Sequence, residues 1–212
     1  MWADTEKRRV LGVATRLFAE LGFDNTTIGL IAQAADVDPQ SMIAQLGEKP
    51  ELYRQVMLQA HHAEQEVLVA AVARFTPTTE GLIELADAYL DFNLEHPHVL
   101  ALWIHRWMGD AADVADLEEL YARPLANLVT GAVRRLVPGD VDADHLIWTI
   151  VWCVYGFLAG GMQETGPGPD RPSGPHLDHV GDPTAQRRFR AHLHTLIRRM
   201  TAPTPPHPLA SA

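Results

Sequence analysis

The chain has 212 residues and a formal charge of −10 at neutral pH, with 47% hydrophobic and 21% charged residues. This composition excludes an intrinsically disordered chain and a membrane-embedded one, because both depart far from the averages of globular proteins. The acidic charge also means that nucleic acid could be bound only at a locally basic face.

The polar start of the chain, 1–7 (MWADTEK), lacks the apolar core of a signal peptide. No apolar stretch is expected to reach the ~18 residues that a membrane-spanning helix needs. We therefore expect a cytoplasmic protein. The one cysteine, Cys153, lies in an apolar run and is expected to be a small buried side chain.

The N-terminal part of the chain predicts four helices. Apolar residues recur every three or four positions until a glycine ends the first helix. Thr26 or Thr27 is a suitable N-cap for a short second helix, and Asp38 followed by Pro39 starts a third. Two short helices joined by the tight turn at 36–37 form a helix-turn-helix unit. The predicted helices of this part cover 5–21, 28–35, 39–46 and 49–75.

The rest of the chain continues the helical pattern, and no run alternates as a strand does. A segment rich in Gly, Pro and Asp, 165–183, predicts a long loop, and the Pro-rich tail predicts disorder. The predicted helices cover 79–95, 99–108, 117–137, 143–163 and 184–200. The fold class is therefore all-α with about nine helices, divided into a helix-turn-helix head (1–48), a helical body (49–200) and the tail (201–212).

Three stretches near the start fall at the offsets typical of one known family: 17–28 (LFAELGFDNTTI), 31–37 (IAQAADV) and 47–52 (GEKPEL). They strongly resemble the head of the TetR family of transcriptional regulators. The resemblance implies a homodimer whose third helix enters the major groove of DNA, and a body of about six helices that holds a small-molecule pocket. It also implies that a bound ligand changes the spacing of the two heads and weakens DNA binding.

The third helix departs from the family pattern in its charge. The family usually has a basic residue and a tyrosine–histidine pair where this chain has Pro39, Ile43 and Ala44. It commonly has another basic residue where this chain has Gly29. Between positions 22 and 52, one lysine stands against five carboxylates. Such a surface repels the phosphate backbone and lowers the DNA affinity that the resemblance implies.

Polar donors nevertheless remain in the head. Glutamines on the third helix could read an adenine edge, and its small apolar side chains could contact a thymine methyl group. The alternative is that these are ordinary solvated residues. A basic run, 7–9 (KRR), could add phosphate contacts at the start of the first helix. The predicted DNA-contacting residues are Thr26, Thr27, Gln40, Ser41, Ile43, Ala44, Gln45 and Lys49.

Aromatic and soft side chains occur along the body in the region that lines the effector pocket of similar proteins. Such pockets are mostly apolar with a few polar anchors, so an amphiphilic or aromatic effector is expected. Core packing explains each of these side chains equally well. The predicted pocket residues are Phe92, Trp103, His105, Trp107, Met108 and Tyr121.

The predicted helix 143–163 is apolar around most of its circumference and therefore needs burial on more than one side. Together with the final helix it corresponds to the two-fold, four-helix interface that the family resemblance implies. A central core helix of a monomer is the alternative. The predicted interface residues are Trp148, Trp152, Tyr155, Phe157, Phe189 and Leu193.

No residue pattern indicates catalysis, a cofactor or a metal site. The 11 histidines lack ligand spacing with carboxylate or cysteine support, and we find no Ser/His/Asp or phosphate-binding glycine motif. We therefore do not expect an enzyme. The sequence predicts instead a ligand-responsive repressor that binds operator DNA as a homodimer. The alternative is a dimer of the same fold that has lost DNA recognition and binds a small molecule or a protein.

Overall fold

The computed structural model describes residues 2–164, 176–178 and 181–202. Within them the chain forms nine α-helices, a π-helical turn (Glu118–Ala122) and a two-stranded ribbon. The all-α fold class is confirmed. The helices are α1 (Asp4–Leu21), α2 (Ile28–Ala34), α3 (Pro39–Leu46), α4 (Lys49–Arg74), α5 (Thr79–Glu95), α6 (Pro97–Trp107), α7 (Arg123–Val133), α8 (Ala143–Gly160) and α9 (Pro183–Thr201).

Local signals define the ends of the first three helices. Gly22 and Gly47 follow α1 and α3 with φ values of 81° and 86°, in the left-handed region that glycine tolerates. Thr27 caps α2 with its side-chain oxygen, and Asp38 caps α3 in the same way. Asp36 holds the turn between α2 and α3 at a φ of 51°. The helix-turn-helix predicted from these residues is thus formed.

Three buried aromatic rings hold α1 to the start of α4. The rings of Phe18 and Tyr53 meet edge to face with centroids 5.1 Å apart, and the centroids of Phe23 and Tyr53 are 4.9 Å apart. Such contacts add to the stability that burial of the rings supplies. Burial also raises the pKa of the Tyr53 phenol, which remains neutral.

The chain divides into two compact units. The first contains the residues up to Val67 together with Asp91–Leu125, and the second contains Leu68–Leu90 together with the described residues from Ala126 onward. The three helices of the head therefore share a unit with α6 and the π-helical turn. The division of the chain into a head and a body at residue 48 is a functional one and stays a prediction.

In the second unit α9 packs against α8 and α5. The rings of Phe157 and Phe189 stack almost in parallel, with centroids 4.2 Å apart. The carboxylate of Asp87 accepts a hydrogen bond from Arg190 at 2.7 Å and lies 2.8 Å from Nε2 of His194. An apolar stack and a half-buried ionic cluster thus fix α9 from two sides.

Helix α8 has the length and composition of a membrane-spanning helix. The expectation that no apolar stretch reaches this length is therefore wrong. Core helices meet the same criteria, and seven side chains of α8 are buried within the unit. Cys153 is half-buried on this helix instead of fully buried, and burial raises the pKa of its thiol.

Two elements differ from their predicted form. Met162–Glu164, which includes the end of the predicted helix 143–163, pairs antiparallel with His176–Asp178 in the segment predicted as a loop, since strands of three residues are too short to show alternation. The predicted helix 117–137 is divided into the π-helical turn and α7, because Pro124 has no N–H to donate to the preceding turn. The rest of the predicted loop and the predicted disordered tail after residue 202 lie outside the described residues.

Candidate nucleic-acid interface and effector site

Helix α3 presents a small polar surface to solvent. Its buried residues face the head, and its other side chains are short or uncharged. The residues of α3 predicted to contact DNA remain predictions, and their exposure is compatible with that role. Gln40, Ser41 and Ala44 are exposed, whereas Ile43 and Gln45 are half-buried.

The two threonines before α2 have different roles. Thr27 is exposed and caps the helix, so its hydroxyl lies at the surface that would face a phosphate. Thr26 is fully buried, and its hydroxyl donates to the carbonyl oxygen of Gly22 at 2.6 Å. The prediction that Thr26 contacts DNA is therefore wrong, because its side chain is buried and hydrogen-bonded to the backbone at the end of α1.

Lys49 has an internal role at the start of α4. Its ammonium donates to the carbonyl oxygen of Phe23 at 2.7 Å and lies 4.1 Å from the centre of the Phe23 ring. This cation–π and hydrogen-bonded contact ties α4 to the α1–α2 connection. The predicted contact of Lys49 with a DNA phosphate remains a prediction. The ammonium group that would make it already donates one hydrogen bond within the protein.

The outer surface around α2 and α3 is acidic. All five carboxylates between positions 22 and 52 are exposed, and the one lysine of that stretch is bound internally. Asp38 also places a negative charge at the N-terminus of α3, which would otherwise attract a phosphate. The exposed carboxylates are Asp24, Asp36, Asp38, Glu48 and Glu51.

Exposed basic side chains lie near the start of α1. The backbone N–H of Trp2 donates to Oε1 of Gln45 at 3.0 Å, so the start of the chain lies beside the end of α3. Arg8 is exposed one turn into α1, whereas Arg9 forms an ion pair with Glu6 at 2.8 Å. The sequence showed this basic run but not that the start of the chain lies beside the end of α3.

Two side chains, one near the C-terminal end of α6 and one just beyond it, lie within hydrogen-bonding distance of backbone groups at the end of α1 and in the connection to α2. The carboxylate of Asp110 accepts the backbone N–H of Phe23 at 2.5 Å with one oxygen and that of Asp24 at 2.8 Å with the other. Nε2 of His105 lies 3.2 Å from the carbonyl oxygen of Ala19. We call this set of contacts the α6 clasp; sequence reasoning missed it.

An ion pair stabilises the loop that carries Asp110. The guanidinium of Arg106 lies 2.6 Å from a carboxylate oxygen of Glu118 and also donates to the carbonyl oxygen of Ala111. Arg106 lowers the pKa of Glu118, so this pair stays charged at neutral pH. The clasp is therefore supported from the side of the π-helical turn.

The predicted pocket residues do not form one group. Phe92 and Trp103 are buried, and Tyr121 is half-buried with its ring stacked on that of His61 at a centroid distance of 4.9 Å. The burial of these three residues is compatible with a pocket or with core packing, so their place in a pocket stays a prediction.

The other predicted pocket residues lie at the end of α6. Met108 is 83% exposed, just beyond the last residue of α6, and Trp107 is 39% exposed with its ring 6.2 Å from that of Trp103. Met108 is therefore wrong as a lining residue, whereas the assignment of Trp107 stays a prediction. His105 is held by the α6 clasp and has a structural contact instead.

Most of the predicted interface residues are core residues of the second unit. Tyr155, Phe157, Phe189 and Leu193 are buried within the protomer, so they offer no surface to a partner, and their assignment to an interface is wrong. Trp152 is 57% exposed, and Trp148 is half-buried beside it. Of the predicted set, the two tryptophans on α8 are therefore the ones available for association.

The chain matches known proteins along most of its length. Residues 10–56 match the family model described as bacterial regulatory proteins, tetR family. Over 155 residues the chain is 28% identical to the HTH-type transcriptional repressor SCO4008 of Streptomyces coelicolor, which covers 70% of this chain and 76% of that protein.

Solved structures show the same fold. The TetR family transcriptional regulator PfmR from Thermus thermophilus superposes with a TM-score of 0.64 at 20% identity, covering 92% of this chain and 99% of that one. A putative fatty acid metabolism regulator from Clostridium perfringens gives a TM-score of 0.67 at 13% identity, covering 92% and 98%.

The head, its helical body and these matches define a helix-turn-helix transcriptional regulator. Residues 10–56 thus match the TetR family that the sequence resembles, and the described helices share the fold of TetR-family structures.

Proposed function

We propose that the protein is a cytoplasmic repressor that binds operator DNA as a homodimer and is released by a small apolar or aromatic effector. The head (1–48) contacts the DNA, and the body (49–200) receives the effector and forms the dimer. The match to the TetR family model and the similarity to a repressor from Streptomyces coelicolor support this assignment.

The α6 clasp is the observation that carries the proposal. Asp110 and His105 bond to backbone groups of the α1–α2 connection, so a shift of α6 is transmitted directly to the head. A ligand that binds more tightly when α6 is in one position weakens DNA binding if the head binds DNA with α6 in the other position. The DNA then weakens ligand binding by the same factor.

Phosphate binding in this protein relies on α1 more than on α3. The surface of α2 and α3 carries five exposed carboxylates, and Arg8 stands on α1, whose start is tied to α3 through Trp2 and Gln45. Gln40 and Ser41 can contact base edges without carrying a charge, because base edges are read by hydrogen bonds.

Fluorescence anisotropy with duplex DNA from upstream of the protein's own gene tests the proposal. Measurements over a series of salt concentrations should show specific binding that weakens steeply as salt rises. No binding even at low salt would contradict DNA recognition and support the alternative, a regulator-like dimer that binds only a small molecule or a protein.

Replacing Arg8 with alanine should reduce the salt dependence of DNA binding. One phosphate contact fewer lowers the slope of log K against log salt by about 1 and weakens binding on all sequences alike. Arg198→Ala is the matched control, because Arg198 is also exposed but lies on α9. Equal slopes for the Arg8 and Arg198 variants would contradict a role of α1 at the phosphates.

The tryptophan side of α8 is the proposed dimer surface. Trp152 is largely exposed, its ring lies 6.0 Å from that of Trp148, and Gly156 continues the same face one turn later. An exposed apolar patch marks an interaction site, and a two-fold dimer brings the same patch of both copies together.

Replacing Trp152 with aspartate should dissociate the dimer. A buried charge at the centre of a two-fold interface meets its own copy, so the dimer dissociation constant is expected to rise at least about 100-fold. Analytical ultracentrifugation measures it, with Leu120→Asp as control because Leu120 is similarly exposed on the π-helical turn. If both variants remain dimeric, this surface is not the interface.

A further inference from the structure

Helix α4 carries two polar side chains that are buried in the first unit. His61 is 7% exposed and Glu64 is 8% exposed. They are three residues apart, so they lie on one side of the helix about one turn from each other. Their burial could not be predicted from the sequence, because the two residues stand among other polar residues of α4.

Neither side chain is satisfied by the described part of the protein. Nδ1 of His61 is enclosed and has no hydrogen-bond partner, and Glu64, whose oxygens keep slight contact with solvent, forms no hydrogen bond or ion pair there. Nearly all buried polar groups in proteins have a partner, because burying one without a partner is costly. Two such groups on one side of a helix point to a ligand that supplies the partners.

The chemistry of both groups selects the ligand. Burial raises the pKa of Glu64 to about 7, while burial and the neighbouring His62 lower the pKa of His61. At neutral pH the imidazole is therefore uncharged, and the carboxyl group is ready to ionise beside a cation. A neutral imidazole nitrogen and a carboxylate are both acceptors, so they match a group with several N–H donors and a positive charge.

The walls around these acceptors are apolar or aromatic. The ring of Tyr121 stacks on His61 at an angle of 24°, which fixes the plane of the imidazole. Met57 and Ala60, each one turn before one of the two acceptors on α4, are buried hydrophobic residues. A ligand that reaches both acceptors must place the rest of its body against such surfaces.

We propose that His61 and Glu64 form the polar end of the effector site, and that the effector is an apolar molecule with a protonated amine. The ammonium donates to the Glu64 carboxylate and to Nδ1 of His61, and the apolar body lies among the surrounding side chains. This inference rests on the proposed function only in naming the ligand as the effector. A carboxylate ligand is disfavoured because it requires Glu64 to keep its proton, and a hydrocarbon alone leaves both groups unpaired.

Isothermal titration calorimetry with the full chain and no DNA tests the site directly. The probes are dodecylamine, dodecanol and dodecanoate, which share a chain length and differ in the head group. We expect the wild type to bind dodecylamine at least about 10-fold more tightly than dodecanol, and dodecanoate most weakly, because each hydrogen bond to a charged group contributes that much or more. Equal affinities for the amine and the alcohol would overturn the proposal without any variant.

Two substitutions separate this site from general attraction to an acidic protein. Glu64→Gln should lower the dodecylamine affinity at least about 10-fold and leave dodecanol unchanged. Glu66→Gln removes an exposed carboxylate two residues along the same helix and should leave the affinity unchanged. Loss of affinity in both variants, or in neither, would overturn the proposal. The operator titration is a separate measurement, so its failure would contradict DNA binding and not the amine site.

Discussion

Replacing Asp110 with asparagine is expected to destabilise the first unit and to weaken the response of operator binding to an effector. One carboxylate accepts two backbone N–H groups, at 2.5 Å from Phe23 and 2.8 Å from Asp24. An asparagine keeps one acceptor and turns an NH₂ group toward the second N–H, which is then left without a partner. Hydrogen bonds to a charged group contribute about 1.5–3 kcal/mol each, so the free energy of unfolding should fall by about 3 kcal/mol.

Urea unfolding measures the stability, and anisotropy with and without effector measures the coupling. Asp113→Asn is the control, because Asp113 is exposed in the same loop and forms no hydrogen bond or ion pair with the residues that the structure describes. If Asp110→Asn unfolds like the control and still releases DNA normally, the α6 clasp transmits nothing. A variant that stays folded and DNA-bound at saturating effector would support the clasp as the connection.

Replacing Glu64 with glutamine is expected to stabilise the protein at high pH. The pKa of Glu64 is raised from its ordinary 4.5 to about 7 by burial, so the folded chain holds the proton more tightly than the unfolded chain. Stability therefore falls as pH rises from 4.5 to 7 and stays lower above it. Ionisation of Glu64 lowers the free energy of unfolding by about 3 kcal/mol at pH 8 and by about 1 kcal/mol at pH 5. Glutamine avoids this loss because it cannot ionise.

Unfolding of wild type and Glu64→Gln should be compared at pH 5 and pH 8. The stabilisation of the variant should grow between these values by about 2 kcal/mol. Glu66→Gln, with its exposed side chain, should show no such growth. A difference between wild type and Glu64→Gln that is independent of pH would mean that Glu64 is not the group that titrates.

The head was predictable because its signals are local. Gly22, Thr27 and Asp38 act on backbone groups within three or four residues, and each acts as predicted. Neighbouring threonines were harder to separate, since Thr26 and Thr27 are both good caps by residue type. Only the packing of α1 shows that Thr26 is the buried one.

The contacts that define the candidate site depend on distant parts of the chain. Asp110 meets a backbone segment more than eighty residues away, and nothing in its own neighbourhood marks that contact. The interface prediction failed for a related reason: α8 is apolar around most of its circumference, so periodicity could not tell which aromatic residues face the core. Trp152 proved exposed, and Tyr155 and Phe157 proved buried.

The burial of His61 and Glu64 was also hidden from the sequence. Glutamate is usually exposed and histidine is intermediate in burial, and a helix as long as α4 carries polar residues along its whole length. Which of them turn inward is decided by the helices that cover α4. Spacing alone could therefore exclude a metal motif but could not find a pair of unsatisfied acceptors.

The bond between the backbone of Trp2 and Gln45 has a practical consequence for handling this protein. Any polypeptide fused ahead of Trp2 emerges beside the end of α3, where the operator is proposed to lie. An affinity tag with several histidines or lysines at that position would add its own attraction to phosphates and raise the measured DNA affinity. Binding studies are therefore best made with protein whose tag has been removed or attached at the opposite end.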